Sequence, residues 1–139
     1  MKRKKNWPGR LVKAIETVQD QPFLWGRHDC CCFASFCVEA MTGQNPMKDF
    51  KGKYKDEKEA LEALKVIGSG TLLETLKGIF GRPVSPHYAQ RGDVVYTVFE
   101  TGPSVGICLG KDSFFVGEDP NKEGLVSFPT REMAKVFKI

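Results

Sequence analysis

Apolar residues at positions 11, 12, 15 and 18 (Leu11, Val12, Ile15, Val18) recur at helical spacing and predict a first helix from about Gly9 to Gln19. Asp20-Gln21-Pro22 breaks it, and Phe23-Leu24-Trp25-Gly26 leads into a turn. A second stripe, Phe33, Phe36, Cys37, Ala40 and Met41, falls at i, i+3, i+4, i+7 and i+8 and predicts a longer amphipathic helix. Asp29 is placed to cap its start and Thr42-Gly43 to end it. Extended backward by one turn, the stripe reaches Cys30, which sets that thiol on the core-facing side, with Cys31 and Cys32 pointing elsewhere. A polar connection from Gln44-Asn45-Pro46 through Lys53 follows. Ala60, Leu61, Leu64 and Ile67 then mark a third helix, and Leu72, Leu73, Leu76, Ile79 and Phe80 a fourth beyond Gly68-Ser69-Gly70.

From Arg91 onward the pattern changes to short β-rich runs between turn residues. The runs are Asp93 to Phe99, Ser104 to Leu109, Ser113 to Val116, Leu125 to Phe128, and a last one near Val136 to Ile139. Helices first and strands second is an α+β arrangement, with N-terminal helices packed on an antiparallel sheet of about five strands.

A chain of 139 residues is long enough for one domain with a hydrophobic core and short for two. The boundaries expected are a basic, flexible tail over 1–8 and a single domain over 9–139. The tail holds Lys2, Arg3, Lys4 and Lys5; without them the remaining 17 basic residues balance 17 acidic ones. A neutral body speaks against a nucleic-acid-binding face, which needs basic residues clustered on the folded domain. Polar Asn6-Trp7-Pro8-Gly9 after the basic start does not read as a signal peptide, and no apolar run nears the roughly 18 residues of a membrane span.

The five cysteines, three of them consecutive, do not form a disulfide framework, since the count is odd and helix neighbours bridge poorly; a reducing compartment is expected. Nor do they form a zinc site. Structural zinc pairs its ligands at short spacing and needs a second pair elsewhere, which the sequence lacks. No metal or other cofactor is expected. Cys37 and Cys108 are expected in the core.

The chemistry concentrates in Trp25-Gly26-Arg27-His28-Asp29-Cys30-Cys31-Cys32-Phe33. Cys30 stands where a turn becomes a helix, and the free N–H groups and partial positive charge of a helix N-terminus favour thiolate, the nucleophilic form. Further on come Arg91-Gly92-Asp93-Val94-Val95 and Ser104-Val105-Gly106-Ile107-Cys108-Leu109-Gly110. A Trp-Gly-x-x-Asp-Cys turn opening a helix, followed by these two segments in this order, resembles the NlpC-type cell-wall cysteine peptidases, small papain-like domains. The likeness runs from about Phe23 to Ile139. It is greatest to the phage-encoded branch associated with tail tips, whose small proteins carry Thr-Gly and a nearby Pro after the cysteine helix, here Thr42-Gly43-Gln44-Asn45-Pro46.

The resemblance implies a papain-like NlpC fold, with Cys30 at the nucleophile position and Asp29 before it. At the family's histidine position this chain has Ser104, and the residue that would orient a histidine falls near Phe115 to Gly117, on Val116. Serine cannot form a thiolate–imidazolium pair or protonate a leaving amine at neutral pH. Loss of a triad histidine costs on the order of 10⁶-fold in turnover, and the about 0.3–1 kcal/mol that a helix N-terminus contributes offsets under tenfold of that.

Two histidines are available as substitutes. His28 lies two residues before Cys30, and His87, in Ser85-Pro86-His87-Tyr88, precedes the Gly-Asp strand. A surface or turn-stabilising role for the first and an exposed loop position for the second are the simpler expectations. Trp25, with Phe23, is placed either to line a substrate groove or to anchor the turn. Two functions follow from the resemblance. One is a tail-tip component of the virion, made in the host cytoplasm, that keeps the peptidase fold for docking to other tail-tip proteins. The other is an active peptidoglycan hydrolase that cleaves stem peptides during genome entry with Cys30 as nucleophile.

Overall fold

The computed structural model describes residues 1–117 and 124–139. Four α-helices precede five strands: α1 Trp7–Val18, α2 Cys30–Thr42, α3 Glu57–Val66, α4 Leu72–Phe80, β1 Val94–Phe99, β2 Gly102–Cys108, β3 Asp112–Val116, β4 Leu125–Pro129 and β5 Lys135–Phe137. The strands make one antiparallel sheet in the order β4-β3-β2-β1-β5. The α+β class and the helix-then-strand order are those read from the sequence. Among the described residues no helix is long and apolar enough to cross a membrane.

Alternation along the strands divides the core between the two sheet faces. Val94, Tyr96, Val105, Ile107 and Phe137 pack with Leu11, Phe33, Cys37, Val38, Met41 and Leu76 of the helices. Val95, Cys108, Phe115, Met133 and Val136 form a smaller cluster on the other face. α2 runs through the larger cluster. Asp29 caps it, with Oδ1 accepting from the Cys32 N–H at 2.8 Å, and Gly43 ends it in the left-handed region at φ 84°, where a side chain would be strained. Cys37 and Cys108 are fully buried.

Three expectations change. Phe36 is 41% exposed, because α2 turns Phe33, Ala34, Cys37, Val38 and Met41 to the core instead. The connection from 44 to 53 is more than a polar linker: a short 3-10 turn at Lys48–Phe50 buries Met47 and Phe50 beside Ala63 of α3. The basic N-terminal residues are not all a solvated end, since Arg3 is docked. Its guanidinium donates to Asp93 Oδ1 at 3.0 Å, to the Arg91 carbonyl at 2.8 Å and to the Ile139 carbonyl at 2.9 Å, and lies 4.2 Å above the Trp7 ring. Asp93, fully buried at the entry to β1, also accepts from Lys138 Nζ and from the Gln90 and Ile139 N–H groups. Charge pairing explains the difference: a buried carboxylate needs partners, and the basic start of the chain supplies one.

Candidate active-site cleft

The turn before α2 is held by its backbone. Leu24 and His28 bridge in antiparallel fashion, and Gly26 turns at φ 78°. A Cβ at Gly26 would sit 2.2 Å from the Tyr54 carbonyl oxygen, so both the conformation and the close approach require glycine. Phe23 and Trp25 meet edge to face at a centroid distance of 5.1 Å.

This turn delivers Cys30, half-buried, to the mouth of a cleft of about 660 Å³. The cleft is bounded by the turn, by the segment around Phe50 and Tyr54, by α3, by the β1–β2 turn and by the end of β3. Trp25, Asp29, Cys30, Ser104 and Val116 all line it. The fold therefore gathers at one place the positions that the resemblance picks out for nucleophile, base and orienting residue. α2 packs directly against β2 here, with the Val105 backbone beside the Cys30 thiol.

What it does not gather there is an imidazole. Ser104 stands where the resemblance expects a histidine, and its hydroxyl donates back to the Gly102 carbonyl at 3.3 Å. His28 is 5% exposed, with its ring edge-on to Phe33 at a centroid distance of 6.5 Å. Its Nε2 has no hydrogen-bond partner among the described residues, and burial lowers its pKa from 6.5 against the opposing pull of Asp29. His87 is exposed on a 3-10 turn, packs edge-on to Tyr88, and borders a separate surface depression with Lys111 and Arg131. Neither histidine lines the Cys30 cleft.

Asp29 has a defined task of another kind. Besides capping Cys32, its Oδ2 accepts from the Gly26 N–H at 2.9 Å and from the Tyr54 hydroxyl at 2.5 Å. One buried carboxylate thus ties the turn, the helix start and the 44–56 segment together. Burial, and then the Asp29 charge, push the Tyr54 hydroxyl pKa up, so Tyr54 is a hydrogen-bond donor rather than a base.

The cysteines share one hydrogen-bonded environment. The Cys30 pKa is lowered, first by the neighbouring Cys31 side chain; burial opposes this, the Val105 backbone assists, and the Asp29 charge opposes. The cost falls on Cys31, whose pKa is raised well above 9.0 by the Cys30 side chain and by burial. Cys32, 3.8 Å from the Tyr54 hydroxyl, is pushed up to about 11, first by burial. Cys31 also lines the cleft rather than pointing away from it. Among the described residues no group of three His, Cys, Asp or Glu side chains is arranged to hold a metal ion.

Sequence reasoning missed Tyr54 and the second role of Cys31. A signal for the first was present: Met47 and Phe50, three apart in a polar stretch, announce a segment that packs inward and brings Tyr54 with it.

Helices feeding a cysteine turn onto a five-stranded antiparallel sheet define the NlpC/p60 fold. Solved structures carry the same architecture. The NlpC/p60 domain of the peptidoglycan hydrolase SagA matches with a TM-score of 0.60 at 16% identity, over 96% of this chain and 99% of that one. RipD from Mycobacterium tuberculosis, described as a non-catalytic NlpC/p60 domain protein adapted to peptidoglycan binding, matches with a TM-score of 0.57 at 14% identity, over 98% and 99%. At these identities the likeness establishes the fold alone. The chain itself belongs to the family described as Domain of unknown function (DUF6950), whose model matches residues 2–139. No curated protein matches it.

Proposed function

We propose that this protein is a phage tail-tip component in which an NlpC/p60 domain serves as a docking module and no longer as a peptidase. The observation that carries the reading is the composition of the Cys30 cleft, where Ser104 and Val116 stand at the two positions that would supply and orient a base and both histidines lie elsewhere. A thiol without a base within hydrogen-bond reach lacks both the activating step and the proton for the leaving amine. RipD, described as non-catalytic, is a precedent for this fold without hydrolysis. The tail-tip setting rests on the resemblance of the Trp25 to Pro46 region, and it implies a protein made in the host cytoplasm and carried in the virion.

The opposing reading, a peptidoglycan hydrolase acting during genome entry, is favoured by one observation, the place of Cys30 at the start of α2 in the cleft, where its pKa is lowered. A more available thiolate does not replace the missing acid and base. Immunogold labelling of particles from a host carrying this gene tests the docking role. Gold at the tail tip supports it; protein found only outside assembled particles overturns it.

A further inference from the structure

The charge and polarity of the cleft specify what it would hold. Its lining is mostly apolar, with Phe50, Leu61, Leu64 and Phe128 among the walls. Among the described residues its carboxylates are Asp29, Glu57 and Glu100. Among the described residues no Lys, Arg or His side chain lines it, although the chain carries 21 basic residues and a net charge of +4. Asp29 is occupied by three internal hydrogen bonds. Glu57 and Glu100 are exposed and both line the cleft: Glu57 opens α3, and Glu100 sits in the β1–β2 turn. Neither makes an ion pair among the described residues.

An apolar cavity with a few polar groups at its rim is the ordinary form of a ligand site, and rim charges select the sign of what enters. Peptidoglycan stem peptides carry free carboxylates and few large apolar groups, so this rim opposes them. We infer that the Cys30 cleft holds a segment of a partner protein in which bulky apolar side chains, seated between α3 and the β1–β2 turn, are followed by Lys or Arg facing Glu57 and Glu100. Leu61, 54% exposed at the cleft, is the apolar surface such a segment would cover. The inference rests on the docking reading above, since it treats the cleft as a binding surface.

The test uses blocked synthetic peptides with a Phe-Leu-Lys-Lys core, the matching Phe-Leu-Glu-Glu core, and a soluble acidic stem peptide, each titrated into the full-length protein by fluorescence anisotropy. The lysine peptide is expected to bind about tenfold more tightly than the glutamate peptide, with the preference shrinking between about 0.05 M and about 0.5 M salt. The double variant Glu57→Gln with Glu100→Gln changes only exposed side chains; it is expected to fold normally and to remove the preference while still binding the apolar core. Equal affinity for both peptides, tighter binding of the stem peptide, no saturable binding, or a preference that survives the double variant overturns the inference. Cleavage of any peptide in a Cys30-dependent manner overturns the docking reading instead, so the two failures are separable.

Discussion

The Tyr54 hydroxyl donates a 2.5 Å hydrogen bond to Asp29 Oδ2, joining the segment that closes one side of the cleft to the carboxylate that caps the cysteine helix. Asp29 therefore fixes where Cys30 stands, while its charge works against the Cys30 thiolate. Tyr54→Phe removes one bond to a buried carboxylate and is expected to cost about 1.5–3 kcal/mol in urea unfolding. A loss below about 0.5 kcal/mol would mean that the bond contributes nothing to holding the turn.

Gly26→Ala probes the same junction sterically. The new methyl must move the Tyr54 carbonyl and adopt a φ of 78°. We expect a loss of more than about 2 kcal/mol, beyond the usual cost of an alanine at a left-handed glycine. Unchanged stability would show that the 50–54 segment yields without effort.

Stability also carries a pH signature from His28. Its folded-state pKa is lowered from 6.5 by burial, so below pH 6.5 the unfolded chain takes up a proton that the folded chain resists. The histidine's contribution is thus flat above that value and falls as pH drops below it. The difference in urea midpoint between the native protein and His28→Leu, followed from pH 8 to pH 5, isolates the effect from that of the carboxylates. A difference that stays constant, or grows in favour of the native protein on acidification, contradicts it.

Asp93 gathers both ends of the domain through Arg3 and Lys138. Arg3→Ala leaves Lys138 in place, so the expected cost is about 1–3 kcal/mol rather than the larger penalty of an unpaired buried charge. Thermal unfolding reads it directly. No change in midpoint would return the first residues to the status of a solvated end.

Helix α2 was legible because its signals agree: a capping aspartate, an apolar stripe and a terminal glycine all mark the same span. The strands were legible as short β-rich runs between turn residues, while that Cys30 and Ser104 line one cleft appears only once the chain is folded. Phe36 was misplaced because the stripe can be drawn on either side of Phe33, and only the packing of α1 and the sheet against α2 chooses Ala34 and Val38. Arg3 and Tyr54 were hidden for a different reason. Each acts through a partner far away in sequence, Asp93 or Asp29, and local periodicity carries no record of such pairs.

The absence of an imidazole beside Cys30 is tested most directly by the release of stem peptides from purified peptidoglycan, comparing the native protein with Cys30→Ala. The account predicts release indistinguishable between the two and no greater than without protein. Release that depends on Cys30 would contradict it.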